Sequence, residues 1–512
     1  MPTQFPPSEA GRKYPSDRHG ISLAGVRWLY IDPEWSTADL LSQQTLLGRV
    51  IKLSAKRCVL CTDDDVFVKE IHYSGIRSLL KTLVGGTACR EGKINLQLAR
   101  SGVNVPKVIA YGVESRGGLL RRDLLLTRKV ENALPLHDFI TNWRQSHRLS
   151  SKLAFIEAFA RFVRRLHHQG IRHSDLHVGN ILVQAGDNRR FFLLDVDRVA
   201  IHDRSLNKAE TVGNLALLLC TFWPYGRSLD RFRFMRLYSG LGRLSAQAET
   251  IKAIKASALQ ISHRVWRTKS LRCLASNSRF IKRKSDNFTI YRVRTPEGEK
   301  ALEALLPDPD ELLEQGVVMK DGRTVKAAKI DIDGQAYFLK RYNCKGNLYR
   351  LRNALRRSRA VRTWLASWGM TVRNMPVPQA LICLEERRMR LLERSYLLFQ
   401  YVDAVRLCDI WSKLDEFDKR RLLHQLAIIL ATLHQSGCYH GDLKWPNILV
   451  REVEGRRQIV LSDLDGSRVN IRLGAARARK DVGRFLRDLR QSGESSNFEA
   501  LFLGTWQKWM AP

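Results

Sequence analysis

The chain has 512 residues, too many for a single hydrophobic core and enough for two or three domains. Hydrophobic residues make up 44% and charged residues 27%, ordinary globular composition that excludes a disordered chain. Lys and Arg number 86 against 51 Asp and Glu, a net charge of +35, so an anionic partner is expected: nucleic acid, anionic lipid or a phosphorylated glycan.

In chain order, residues 1–20 carry Pro, Ser and charge but no apolar signal-peptide segment, and are expected to form a disordered tail. Residues 45–70 show the alternation and Gly turns of strands. Within them Cys58 and Cys61 form a lone C-x-x-C; with no second pair and no helix start beside them, they read as structural thiols in a strand. The nine cysteines, odd in number and irregularly spaced, indicate a reducing compartment. Lys69 ends the apolar run Val66-Phe67-Val68, and Glu91 follows in a helical stretch. Residues 151–168 space Phe, Leu and Ile as a helix does, and 180–183 and 191–194 are short apolar strands. The best apolar run, Leu215 to Trp223, is about half the ~20 residues a membrane span needs, so a cytoplasmic protein is expected. The stretch 268–285 holds six basic residues and no acid, and is expected to be a connector or surface strip. Residues 316–341 again read as strands, with Asp321-Gly322 and Asp333-Gly334 as hairpin signals. Residues 341–362 hold eight basic residues and no acid, the pattern of a solvated helix or of a face attracted to anionic lipid or glycan. Residues 417–435 are helical.

The chain repeats itself. Leu166-His167-His168-Gln169-Gly170 through His173-Ser174-Asp175-Leu176 and Asn180-Ile181-Leu182-Val183 recurs as Leu433-His434-Gln435-Ser436-Gly437 through His440-Gly441-Asp442-Leu443 and Asn447-Ile448-Leu449-Val450, at an offset of 267 residues. Phe67-Val68-Lys69 recurs as Phe338-Leu339-Lys340, offset 271, and Asp195-Val196-Asp197 as Asp463-Leu464-Asp465, offset 268. A period this long means duplicated domains. The expected division is a tail over 1–20, a first domain over 21–275 and a second over 276–512. Antiparallel strands followed by helices and a small hairpin give each an α+β plan.

The repeated residues are those phosphoryl transfer needs: a lysine for nucleotide phosphates, oxygen ligands for a divalent cation, and a carboxylate near the attacking hydroxyl. Lys69 and Lys340 are candidates for the phosphates, with Glu91 able to pair with Lys69. Asp175 and Asp442 are candidates to orient or deprotonate the acceptor hydroxyl. Asn180, Asp195, Asn447 and Asp463 offer the hard oxygens that Mg²⁺ prefers. Lys444 is placed to stabilise charge on the transferring group; the first copy has His177 there. His173 and His440 read as buttresses of the loop. Asp197 and Asp465 are either further metal ligands or surface turns.

At these residues the chain resembles the lipopolysaccharide kinase family, the Kdo/WaaP and InaA group of the protein-kinase-like superfamily. The H-x-D-x-x-x-x-N loops carry the resemblance, with D-x-D in place of D-F-G and no A-P-E after either copy. The turns ending at Pro106 and at Pro376-Val377-Pro378 are similar to the family's as well. The resemblance implies two tandem bilobal domains, each with a small antiparallel-sheet N-lobe and a short helical C-lobe. It implies ATP and Mg²⁺ in a cleft, a hinge near Glu131 and Asp403, and a sugar hydroxyl of the lipopolysaccharide core as acceptor. It also implies peripheral placement on the cytoplasmic face of the inner membrane. A protein Ser/Thr kinase and a non-catalytic pseudokinase scaffold in envelope glycan assembly are the other activities open. No nucleic acid is expected, since no aromatic-interleaved basic platform appears. The second copy has no Glu matching Glu91, and neither copy has a clean Gly-rich loop; Gly48 onward and Gly316 to Gly322 are the candidates.

Overall fold

Strand alternation decides where Lys69 points. Val66 and Val68 lie on one face, packed with Trp28, Ile109, Leu124 and Leu126. Lys69 and Ile71 lie on the other, where Ile71 packs with Ala88, Cys89 and Tyr111. The computed structural model describes residues 21–23, 25–36, 38–39, 49–54, 56–143, 149–184, 190–222, 228–239, 244–285, 287–344, 346, 356–389, 391–453, 455–471, 473–494 and 496–510. The expected tail over 1–20 and Gly48 lie outside them. The chain divides into two units, Met1–Ile254 and Lys255–Pro512.

In the first unit, β1 (Ile21–Leu23), β2 (Val26–Ile31), β3 (Arg49–Ser54), β4 (Arg57–Cys61), β5 (Val66–His72), β6 (Val108–Arg116) and β7 (Leu119–Arg128) form one sheet in the order β1-β2-β6-β7-β5-β4-β3. Every neighbouring pair is antiparallel. Lys69 therefore sits mid-strand in β5, not at the strand's end as the apolar run suggested, because pairing with β7 continues to His72. Cys58 and Cys61 are half-buried free thiols of β4, three residues apart and so on opposite faces. Two helices follow β5, α1 (Ile76–Val84) and α2 (Thr87–Arg100). Gly92 lets α2 lie close on the sheet: a Cβ there would collide with the Tyr111 ring. After β7 come β8 (Ala133–Pro135), α3 (Leu136–Trp143), α4 (Leu149–His168), β9 (Ile171–His173), β10 (Ile181–Gln184), β11 (Arg190–Leu193), β12 (Val199–Ile201), α5 (Lys208–Phe222) and α6 (Ser228–Ser239). Strands β8, β10 and β11 make a small sheet, and β9 pairs with β12. Helix α7 (Leu244–Leu271) contains the division point.

The second unit repeats the plan. β13 (Phe280–Lys284), β14 (Phe288–Val293), β15 (Val317–Gly322), β16 (Val325–Ile332), β17 (Gln335–Asn343), β18 (Ala380–Arg388) and β19 (Leu391–Gln400) form a sheet in the order β13-β14-β18-β19-β17-β16-β15, the same as in the first unit. Its helices are α8 (Pro296–Leu305), α9 (Pro309–Gln315), α10 (Arg359–Thr371), α11 (Glu416–Gln435), α12 (Ala475–Gln491) and α13 (Ser496–Met510). β20 (Val405–Arg406), β21 (Ile448–Val453) and β22 (Arg456–Leu461) form its small sheet. One core lies against the large sheet around Trp364 and Leu397, and another among the helices around Leu430 and Phe485.

Local expectations fared unequally. The stretch 268–285 ends α7, makes a short turn and forms β13; its six basic residues are exposed, as a surface strip requires, while Ser270, Cys273 and Phe280 are buried. The eight basic residues of 341–362 do not share a helix, because β17 runs to Asn343 and α10 begins at Arg359; Lys345, Arg350 and Arg352 lie outside the described residues. Asp333 and Gly334 do form a two-residue turn with positive φ of 53° and 78°. Asp321-Gly322, by contrast, ends β15, and Arg323-Thr324 make that turn. No helix among the described residues is long and apolar enough to cross a membrane.

Candidate active site

In each unit the strand lysine pairs with the first aspartate of the D-x-D motif. In the first, the Lys69 ammonium pairs with Glu91 of α2 and with Asp195 Oδ1 at 2.8 Å. Arg57, at the start of β4, adds a second cation 2.9 Å from the same oxygen. Burial alone would raise the Asp195 carboxyl; Lys69 and Arg57 outweigh it and hold it at about 2. Glu91 is more deeply buried, and its carboxyl is pushed up by desolvation against the opposing pull of Lys69. Asp195 has φ of 48° and Asp463 has φ of 52°, left-handed conformations that cost free energy for a residue with a Cβ. Both copies keep that cost at the same motif position.

Asp175 lies on the loop after β9. His173 fixes this loop as a neutral imidazole: Nε2 donates to Leu194 O at 3.1 Å, and Nδ1 accepts from the Asp175 amide at 3.2 Å. Burial lowers its pKa, which keeps that arrangement. Asn180 Nδ2 donates to Asp175 O at 3.0 Å, so Oδ1 is the end left to accept. The Leu194 amide donates to Asn180 O at 2.9 Å, tying the loop to the residue before Asp195. Asn214 of α5 anchors the loop: its Nδ2 donates to His173 O at 2.6 Å and its Oδ1 faces His167 Nε2 at 3.1 Å.

The second unit has the same frame with different partners. His440 Nε2 donates to Ser462 O at 2.9 Å, the Ser462 amide donates to Asn447 O at 2.8 Å, and Asn447 Nδ2 donates to Asp442 O at 2.8 Å. Lys340 lies 2.7 Å from Asp463 Oδ1 and 2.9 Å from Asp465 Oδ2. Thr363, the fifth residue of α10, occupies the helix position that Glu91 holds in α2. It donates to Asp465 at 3.3 Å, beside Tyr342 at 2.6 Å and Arg359 at 3.3 Å. Burial and then the Asp465 charge push the Tyr342 hydroxyl well above its usual range, so it remains a donor. The second acid of D-x-D has thus taken over the pairing that Glu91 provides in the first unit. Asp442 is surrounded by cations: Lys444 Nζ is 3.3 Å and Arg484 Nη1 2.9 Å from its carboxylate. In the first unit, His177 Nε2 is 3.9 Å from Asp175, and its Nδ1 accepts from Gly179.

Arg57, Arg484 and the two anchors Asn214 and Asp481 escaped sequence reasoning. Asp481 accepts from the His440 and Gly441 amides at 2.7 and 2.8 Å. It lies 267 residues after Asn214, the offset of the loop repeat itself, which was the available signal. Glu131 and Asp403 sit on the segments joining each large sheet to the helices, with exposed side chains. The Glu131 carbonyl accepts from Gln184; neither side chain joins the lysine cluster. The donor set, one carboxylate and one amide oxygen per unit beside a lysine, is all hard oxygen and suits Mg²⁺ rather than a soft metal.

The family model described as the lipopolysaccharide kinase (Kdo/WaaP) family matches residues 47–238 and again 307–502. The chain is similar to the 3-deoxy-D-manno-octulosonic acid kinase of Actinobacillus succinogenes, 36% identical over 128 residues, covering 24% of this chain and 50% of that protein. It is also similar to the lipopolysaccharide core heptose(I) kinase WaaP of Pseudomonas aeruginosa, 26% identical over 212 residues, covering 38% and 78%. The chain spans about half the length of the octulosonic acid kinases it matches. A solved structure of WaaP in complex with acyl carrier protein aligns at 23% identity with a TM-score of 0.36, covering 46% of this chain and 99% of that one.

Proposed function

The chain belongs to the lipopolysaccharide kinase (Kdo/WaaP) family, matched in both halves, and from that premise we propose that it transfers the γ-phosphoryl group of ATP to a sugar hydroxyl of the lipopolysaccharide core. One or both copies carry the activity. The proposed domains are 21–275 and 276–512, each bilobal, with the sheet and the helices flanking a nucleotide cleft and Glu131 and Asp403 at the hinges. The two compact units divide earlier, inside α7. The acceptor is a glycolipid met at the cytoplasmic face of the inner membrane.

The observation that carries the proposal is the pairing of Lys69 with Asp195, and of Lys340 with Asp463, beside a loop that presents Asp and Asn in fixed order. In the reaction, the acceptor oxygen attacks the γ-phosphorus, the bond to the bridging oxygen breaks, and ADP leaves. Asp175 or Asp442 accepts the hydroxyl proton. Lys69, held by Glu91, and Lys340 meet the phosphates. Lys444 adds positive charge at the transferring group. Asn180 with Asp195, and Asn447 with Asp463, would hold Mg²⁺, which when bound neutralises charge on the phosphates.

The test is phosphate transfer from labelled ATP to purified core glycan, followed by mass spectrometry. The expected product gains one phosphate, forms only with Mg²⁺ and disappears with EDTA. Label on a protein band instead of the glycan would replace the proposal with a protein kinase.

A further inference from the structure

Helix α1 is inside out. Its small polar side faces the protein: Ser78, 1% exposed, donates to Leu120 O, and Leu120 N donates to Thr82 Oγ1 at 2.8 Å. Its large apolar side faces outward, with Ile76 80%, Leu79 52%, Leu80 56%, Leu83 78% and Val84 77% exposed. At ~100° per residue these five positions cover one continuous stripe about 140° wide, with Arg77 and Lys81 along one edge of it. Gly75 and Gly85, at φ of 56° and 92°, bracket the helix. A soluble protein gains nothing by such a face, since each buried leucine is worth about 2 kcal/mol that remains unrealised here.

We propose that the outward face of α1 inserts shallowly into an anionic lipid surface. The charge pattern selects this occupant. Between Ile71 and Arg90 the chain carries Arg77, Lys81 and Arg90 and no acid, within a chain of net charge +35. Apolar residues bordered by basic ones match an acyl region topped by anionic headgroups. In an antiparallel isologous contact, a second copy of this chain would bring the same cations side by side, which disfavours that self-association. The short helix provides reversible, peripheral attachment and does not depend on the catalytic proposal.

The experiment is co-sedimentation of the full chain with phosphatidylethanolamine vesicles containing phosphatidylglycerol, and with phosphatidylcholine vesicles. The variant is Leu79→Ser with Leu83→Ser, whose solvent-facing positions leave the core intact; a thermal melt matching that of the parent checks this. The parent is expected to sediment with the anionic vesicles, less so in high salt. The double variant is expected to partition at least ~tenfold more weakly. As a second readout, Leu83→Trp is expected to show a blue-shifted emission with anionic vesicles. Equal binding by parent and double variant, or no preference for anionic lipid, would overturn the proposal. So would light scattering that shows a parent dimer and a monomeric double variant with unchanged vesicle binding. Retention on a soluble acidic protein, lost in the double variant while vesicles are ignored, would give the face to a protein partner instead.

Discussion

Lys69 balances two carboxylates of unequal burial, and the consequences are measurable. Glu91 lies almost fully inside the protein, so removing the ammonium strands it. Lys69→Met is expected to cost about 3 kcal/mol of first-unit stability. Lys69→Met with Glu91→Leu should recover most of it, as chemical denaturation would show. Histidines set a second residue-scale expectation. Burial holds His167 at about 4, and lowers His173 and His440 below the usual imidazole value. A group depressed in the fold is neutral there while the unfolded chain takes up protons. Its stabilisation is therefore complete above about pH 6.5 and lost as the pH falls toward 4. His167 alone accounts for about 3 kcal/mol over that window; denaturation midpoints measured from pH 7 to 4 should decline accordingly. The residues in these networks were legible in unequal measure. Lys69, Asp175, Asn180 and Asp195 stood out because the chain repeats them in order. Arg57 and Arg484 did not, because an arginine's partner is set by how strands and helices meet, and this chain holds arginines at many surface positions.

At the scale of elements, α5 and α12 do the same work with different chemistry. Asn214 holds the His173 carbonyl and reaches His167; Asp481 holds the His440 and Gly441 amides. The helices otherwise differ. By the 267-residue offset, Leu217 stands where Arg484 reaches Asp442, so the first unit has no arginine at that position. In a background where Asp175→Ala silences the first copy, Asp481→Ala is expected to lower kcat ~100-fold by releasing the loop. Asp481→Asn, imitating Asn214, should lose no more than ~tenfold. Steady-state kinetics with core glycan would separate the two. Strands β3 to β5 and β15 to β17 were readable from alternation over 45–70 and 316–341, and α4 and α11 from the spacing of Leu, Ile and Phe; the other strands of the large sheets were not read. The expected basic helix over 341–362 failed because charge carries no period of its own. There β17 takes Arg341 into a pair with Asp310, and Arg359 opens α10 against Asp465.

Over the whole molecule, duplication kept the architecture and let the partners drift. Both large sheets share one strand order, and both copies keep a left-handed aspartate after the last small-sheet strand. The first unit pairs its lysine with a helix glutamate, the second with its own D-x-D acid. A common frame with exchanged partners is what two catalytic pockets for different acceptors, or one active and one supporting copy, would both start from. The most direct measurement is phosphate transfer to core glycan by the purified full chain and by Asp175→Ala, Asp442→Ala and the double variant. The account predicts that at least one single variant loses most of its turnover and that the double variant falls to background with its fold intact. A double variant that still phosphorylates the glycan at the parent rate would contradict it.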